Sequence, residues 1–343
     1  MKALVNYANE PGAVDLRDVP EPMIGSAEVL LRPRGVGICG SDLHQWHAKQ
    51  SWKVNWPVTL GHEFAGEVIA VGVDVRGFAP GDRVTCETAA VVCGVCPMCR
   101  IGHYNLCPER LGFGYGVDGA AADYVKVAAR LLHRIPDEVS WAEAALTEPC
   151  SVAFNAVVEK SHPKPGDTAV VLGPGPIGLL ALQMLRNSGV TQLVIVGLDR
   201  DAARLELAEQ FGATAIIRSD REDAVDRVIE MTQGFGADLI IDAAGVSATL
   251  WQALQMVRPE GQITKVGWGP QPFGHSLDPL VAKAATLQGS FSHNWTTWER
   301  VLKLMAARRL DLEPFLHRYP LREWREAFER MDRLELPKVV LEP

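Results

Sequence analysis

At 343 residues the chain exceeds the roughly 100–200 residues of one domain, so a single small module is excluded and two domains are expected. With 47% apolar and 22% charged residues it has an ordinary globular composition, which excludes global disorder. A net charge of −8 leaves no general basic field for a phosphate backbone, so nucleic acid is not an expected partner.

The chain opens Met1-Lys2-Ala3-Leu4-Val5-Asn6 and turns polar by Asn9-Glu10. It lacks the apolar core of a secretory signal, and a cytoplasmic address is expected. The first third alternates short apolar runs, such as Val29-Leu30-Leu31 and Glu67-Val68-Ile69-Ala70-Val71, with Gly and Pro, which predicts a β-rich region. Cys39 stands there in Ile38-Cys39-Gly40-Ser41-Asp42-Leu43-His44, and the pair His62-Glu63 follows Gly61. A lone Cys is ordinarily a small core residue and a lone His a satisfied polar group, so these positions gain weight only together. Next comes Cys93-x2-Cys96-x2-Cys99-x7-Cys107, which holds four of the seven cysteines. In a reducing compartment such crowding favours metal over disulfides, and the spacing lets a reversing loop present four thiolates to one Zn²⁺. Four thiolates leave no open coordination position, so this zinc is expected to be structural, folding a lobe over residues 90–110. Only Arg100 and His103 interleave the cysteines, which gives a nucleic-acid zinc ribbon little support. Glu148-Pro149 follows, and Cys150 reads as a small buried residue.

From about residue 165 the texture changes. Thr168 to Leu185 is uncharged and approaches membrane-spanning length, but Gly173-Pro174-Gly175-Pro176 and Gly178 interrupt it, so it reads as a buried strand, a turn and a helix. Strand patterns at Ala169–Leu172, Leu193–Val196, Ala215–Ile217, Asp238–Ile241 and Gln262–Val266 alternate with helical patterns at Arg204–Phe211, Ala224–Thr232 and Leu250–Val257. This alternation predicts an α/β architecture with a doubly wound parallel sheet. Gly173-x-Gly175-x-x-Gly178, with Pro176 and Ile177 inside it, follows a strand and opens a helix, which is the context a dinucleotide needs. The first glycine permits a tight turn, the second lets backbone approach pyrophosphate, and the third allows close helix packing. After about residue 286 the chain predicts helices around Trp298–Ala307 and Trp324–Met331 and a closing strand, Lys338–Leu341.

Gly61-His62-Glu63-x2-Gly66-x5-Gly72-x2-Val75 and Cys39-Gly40-Ser41-Asp42 with His44 resemble the zinc and first-ligand signatures of the medium-chain alcohol dehydrogenase family. The four-cysteine lobe stands where that family places it. Glu148-Pro149 followed by Ser151-Val152 resembles its polyol branch, of which sorbitol dehydrogenase is the familiar member. The resemblance implies a β-rich, GroES-like catalytic domain, expected over 1–151 and 286–343, and a Rossmann domain over 152–285. It implies a catalytic zinc on Cys39 and His62, with Glu63 and Glu148 sharing the remaining duty. Either carboxylate can be the direct ligand, the other holding solvent beside the metal. Ser41 would then pass the alcohol proton outward and His44 release it to solvent.

The resemblance also implies NAD or NADP. Counted from Gly173, the acidic position that ends the second strand falls on Gly197, with Asp199 two residues later and then Arg200. Asp199 turned back to the ribose would select NAD. Arg200 beside an open space at Gly197 would select NADP, and NAD is the preferred reading. Trp46, Trp52, Trp56 and Trp295 flank the predicted site and are expected to wall a substrate pocket. Sorbitol-like enzymes resemble this chain at Gly289-Ser290-Phe291 but follow it with arginine then tyrosine, where this chain has Ser292 and His293, and His293 is expected in that pocket. The expected substrate is a secondary alcohol of a polyol, cyclitol or sugar. No basic cluster favours a phosphorylated one, and no membrane partner is expected. A threonine-type amino-alcohol dehydrogenase is the nearest alternative, and a nonenzymatic redox-sensing relative a more distant one. The family's habit of pairing sheet edges implies a homodimer or homotetramer, with Lys265-Val266-Gly267-Trp268 as the candidate edge.

Overall fold

The alternating burial along Glu28–Gly37 makes this strand the axis of a seven-stranded sheet. In order, the sheet runs Leu316–Pro320, Lys338–Glu342, Glu28–Gly37, Glu63–Val71, Arg83–Cys86 and Leu132–Arg134, with Val125–Ala128 also pairing to Glu28–Gly37. Pro33 cannot donate to a ladder, and the register shifts between Pro33 and Gly35, where the strand bulges. A three-stranded sheet of Val14–Asp18, Lys2–Asn6 and Val58–Thr59 belongs to the same unit. Its core gathers Leu31, Phe64, Val84, Trp324, Phe328 and Val339, all buried. The computed structural model describes residues 1–269 and 271–343.

The second unit is a six-stranded parallel sheet in the order Ala215–Arg218, Gln192–Gly197, Thr168–Leu172, Ala237–Asp242, Val257–Lys265, Thr286–Gly289. The chain order reverses beside Thr168–Leu172, the switch point where such sheets bind nucleotides. The expected strand–turn–helix over 168–185 is strand Thr168–Leu172 and helix Pro176–Asn187. Among the described residues no helix is long and apolar enough to cross a membrane.

The chain divides into Met1–Glu148 with His293–Arg308 and Phe315–Pro343, and Pro149–Ser292 with Arg309–Pro314. The expected return to the first unit at 286 therefore moves to 293, because Thr286–Gly289 pairs in parallel with Val257–Lys265. Residues 309–314 also belong with the parallel sheet: Gln183 Nε2 donates to Asp311 O at 3.0 Å and Gln183 Oε1 accepts from Asp311 N at 2.7 Å. The expected sheet edge at Lys265 is corrected as well. Val257–Lys265 is paired on both sides, and Thr286–Gly289 is the edge.

Candidate active site

Strand register builds the first metal set. Gly37 pairs with Glu63 and Val36 with Phe64, so Cys39, just past one strand end, meets His62 and Glu63 at the start of the next. Val340 pairs with Gly37 on the other side, which brings Lys338 to the same end. The candidate ligand atoms of Cys39, His62 and Glu63 all lie within 4.8 Å of one another. A mixed sulfur, nitrogen and oxygen set with a fourth position open is the donor chemistry of catalytic zinc. Gly37 leaves the Glu63 carboxylate its room, since an added Cβ would come 2.2 Å from Glu63 Oε2.

Around the set stand groups that orient it. Asp42 Oδ2 accepts the Cys39 N–H at 2.8 Å, and its Oδ1 lies 3.8 Å from His62 Nδ1. Buried Lys338 forms an ion pair with Glu63 and donates to Ile38 O at 2.7 Å. Burial pushes the Glu63 carboxyl up while Lys338 works against it. Glu148 is buried beside the set, and its Oε1 lies 3.0 Å from His293 Nε2. Burial raises Glu148, but the His293 hydrogen bond and the nearby His62 and Lys338 charges outweigh it and hold its carboxyl low. Of the two candidate carboxylates, Glu63 joins the Cys39–His62 set and Glu148 lies outside it.

Burial disfavours the charged form of His62, but Asp42, Cys39 and Glu148 outweigh it and lift its pKa well above the ordinary value. Without metal, His62 thus stays imidazolium over a wider pH range, while a zinc ligand must be neutral. Zinc uptake is therefore expected to release protons. Its apparent affinity should fall by about one decade per pH unit for each proton displaced as pH drops below the His62 pKa. Calorimetric titration in buffers of different ionisation enthalpy checks this, and a pH-independent affinity would contradict it.

Ser41 and His44 lie three residues apart on helix Gly40–Trp46, a spacing that puts side chains on one side of a helix. Partial burial, helped by His47, lowers the His44 pKa, so it stays neutral and able to accept a proton. Trp52 meets His44 edge-on at 6.3 Å, while Trp56 and Trp295 are exposed. Two pocket expectations are corrected. Trp46 packs into the core, edge-on to Trp324 at 6.5 Å and Phe328 at 5.9 Å. His293 is buried, and both its nitrogens are engaged by protein partners. A cavity of about 820 Å³, lined by Met23, Pro57, Val91, Phe113 and Tyr124 among others, contains none of the predicted site residues.

The sulfurs of Cys93, Cys96, Cys99 and Cys107 form the second set. Cys93 Sγ lies 3.6 Å from Cys107 Sγ and 4.0 Å from Cys99 Sγ. These separations are far too long for a disulfide, whereas a tetrahedron with Zn–S of about 2.3 Å has edges of about 3.8 Å. Backbone N–H groups of Cys96 and Cys99 point at the sulfurs of Cys93 and Cys96, at 3.3 and 3.4 Å. Backbone N–H groups of Val95 and Cys96 draw the Cys93 thiol down to about 7, while burial and the neighbouring sulfurs push Cys99 up to about 12. Four sulfurs this close fit one tetrahedral zinc, which would hold them as thiolates.

In the parallel-sheet unit, Gly173 has φ +97°, and a Cβ there would come 2.9 Å from the Ala244 side chain. A Cβ at Gly175 would meet nothing within 4 Å, which leaves the backbone open to an approaching pyrophosphate. At Gly178 it would come 2.0 Å from Gly173 O, so the helix packs tightly on the turn. Helix Pro176–Asn187 starts there, its N-terminal amides available to phosphate, so the loop fits a dinucleotide. Gly197 is not an open space: a Cβ would come 2.9 Å from Pro174 Cγ and 3.1 Å from Leu205 Cδ2. Asp199 lies 2.5 Å from Arg221 and 3.4 Å from Arg218.

A metal set with an open position, in a chain that also carries a dinucleotide loop, is the equipment of a metal-dependent oxidoreductase. Comparison with known proteins agrees. Residues 25–137 match the alcohol dehydrogenase GroES-like domain and residues 176–307 the zinc-binding dehydrogenase domain. The chain is 37% identical to a sorbitol dehydrogenase of Halalkalibacterium halodurans, over 100% of this chain and 99% of that one. It is 36% identical to a D-arabitol-phosphate dehydrogenase of Enterococcus avium, over 95% and 92%. A zinc-binding dehydrogenase from Sinorhizobium meliloti, solved bound to NADP, superposes with a TM-score of 0.92 at 30% identity, covering 100% of this chain and 99% of that one. The chain belongs to the zinc-dependent medium-chain alcohol dehydrogenase family, whose members are oxidoreductases that use a nicotinamide cofactor.

Sequence reasoning missed Lys338 and Trp298. Lys338 was legible only as the start of a strand, although a lysine opening the apolar run Val339-Val340-Leu341 is a signal for a buried cation.

Proposed function

We propose that the chain oxidises a secondary alcohol of a polyol, cyclitol or sugar, with Cys39, His62 and Glu63 holding the catalytic zinc and the Cys93–Cys107 lobe a structural one. The observation that supports this most is the register-built Cys39–His62–Glu63 set beside Glu148, in a chain similar along its whole length to a sorbitol dehydrogenase. Bound zinc would lower the pKa of the substrate hydroxyl, and a bound nicotinamide would supply the hydride acceptor. Ser41 takes the hydroxyl proton and hands it to His44, which returns it to solvent. Glu148 holds a fixed negative charge beside the reacting centre. Trp52, next to His44, gives the substrate an apolar wall, with Trp56 and Trp295 as further candidates. The enzyme is read as cytoplasmic, where its thiols stay reduced. A panel of polyols, polyol phosphates, sugars and threonine, followed by NADH or NADPH formation on zinc-replete protein, tests the reading. Turnover confined to threonine would favour the amino-alcohol alternative, and no turnover with any member would favour a nonenzymatic relative.

NAD is the proposed cofactor. Pro174 and Leu205 crowd the position of a Cβ at Gly197, which speaks against an open space there, and Asp199 is the nearest carboxylate in the chain beyond that strand. Asp199→Ala removes the carboxylate and also releases the guanidinium groups of Arg218 and Arg221. The NADP/NAD ratio of kcat/KM is then expected to rise roughly 10- to 100-fold, the worth of a charge-assisted hydrogen bond. Arg200→Ala should leave NAD turnover near wild type. A wild-type preference for NADP that Arg200→Ala abolishes and Asp199→Ala leaves unchanged would overturn the NAD reading.

Association into a homodimer or homotetramer is proposed through the edge strand Thr286–Gly289, near which Val281 and Leu287 are exposed. Light scattering at micromolar concentration checks it, with a monomeric mass as the opposing result.

A further inference from the structure

His293 faces two partners that leave its imidazole one protonation pattern. Its Nδ1 lies 2.7 Å from Trp298 Nε1, and its Nε2 lies 3.0 Å from Glu148 Oε1. An indole N–H can only donate, so Nδ1 must be the acceptor and carry no proton. The proton of the neutral ring is then on Nε2, aimed at a carboxylate that can only accept while ionised. Turning the ring over would put carbon atoms against both partners, so the two bonds also fix its orientation.

The lock is itself well held. Trp298 is fully buried on helix Trp295–Ala306, edge-on to His293 at 5.1 Å and stacked at 5.4 Å on His133. His133 is pinned between Glu299, 2.7 Å from its Nδ1, and Glu87, 3.3 Å from its Nε2. Thr88 Oγ1 stands 3.4 Å from His293 Nε2 and accepts from Arg110 at 2.9 Å, so its oxygen offers the same N–H a weaker second acceptor.

The terminal torsion of a glutamate is soft, and a carboxylate with one oxygen tied down loses that freedom. We propose that His293, held in its Nε2–H tautomer by Trp298, is the positioning residue that aims Glu148 at the catalytic zinc site. The proposal rests on the reading that Glu148 serves that site. His293 touches neither substrate nor metal in this role. It acts through Glu148, and Trp298 acts through His293.

The test uses zinc-loaded, ¹⁵N-histidine-labelled protein, with the His293 resonances identified among nine histidines by their loss in His293→Gln. Wild-type His293 is expected to show an unprotonated Nδ1 and a protonated Nε2 at neutral pH. Trp298→Phe keeps a buried ring but lacks the N–H, and it should lose this single tautomer while retaining both zincs. His293→Leu should lower kcat roughly 10- to 100-fold, the usual cost of losing a partner that orients a metal-site residue, with KM changed far less. His293→Gln still offers an N–H toward Glu148 and should recover most of that loss. A wild-type His293 protonated at Nδ1 would overturn the proposal, and so would His293→Gln turning over no better than His293→Leu. If His293→Leu fails to fold, the tautomer measurements and the Gln and Phe variants decide the matter. Full turnover by Glu148→Ala would instead overturn the reading beneath the proposal, and the proposal with it.

Discussion

Cys39→Ser is expected to abolish alcohol oxidation while the protein keeps its fold and one zinc per chain. Cys39 supplies the only sulfur of the Cys39–His62–Glu63 set, and a serine hydroxyl is a poor zinc donor at neutral pH. Loss of a supporting partner costs 10- to 100-fold, so loss of a direct ligand should exceed roughly 100-fold in turnover. The lobe is untouched by this change because its four sulfurs close their own tetrahedron. Cys96→Ser has the opposite profile. The lobe contributes little to the apolar core beyond Cys107, with Val95 and Ile101 exposed, so its order depends on the metal. That variant should lose lobe zinc, unfold at lower temperature and be cut by protease within residues 90–110, with losses of activity following loss of fold. Metal analysis, thermal unfolding and limited proteolysis on the two variants separate the roles. Normal turnover by Cys39→Ser would end the catalytic assignment of this set.

Glu63→Ala and Glu148→Ala should both cut turnover by roughly 100-fold or more, yet differ in metal content. Glu63 is within the ligand set and is held there by Lys338, so its loss removes a donor and leaves a buried ammonium without its carboxylate. Zinc should fall toward one per chain. Glu148 lies beside the set with its Oε1 committed to His293, so its loss should leave about two zincs and a silent enzyme. Elemental analysis of both proteins after dialysis gives the comparison. The reverse pattern, zinc lost in Glu148→Ala and kept in Glu63→Ala, would exchange the two roles.

What was legible in the sequence was what is encoded locally. Four cysteines within one loop and three glycines within one strand-to-helix turn carry their geometry in their spacing: the four sulfurs converge, and Gly173 has φ +97°. The alternation of strands and helices from Thr168 to Lys265 likewise follows from burial on both sheet faces. What depends on long-range register was not legible. Lys338 reaches Glu63 because two strands separated by hundreds of residues flank Glu28–Gly37, and nothing near Lys338 announces it. The place of His293 after Gly289 points it toward the substrate pocket, but Trp298, five residues further on, holds it inward. Trp46 shared a short segment with Trp52 and Trp56, yet the helix Gly40–Trp46 turns it toward Trp324 and Phe328. The true sheet edge, Thr286–Gly289, is short and largely exposed, so its pattern does not stand out as a strand.

The most direct measurement restores zinc stepwise to protein depleted at the catalytic site and follows NADH formation from the best polyol substrate at each step. The account predicts that lobe zinc persists through mild chelation and that activity rises linearly with the second equivalent, reaching its plateau at two per chain. Full activity at one zinc per chain, with that metal located in the Cys93–Cys107 lobe, would contradict it.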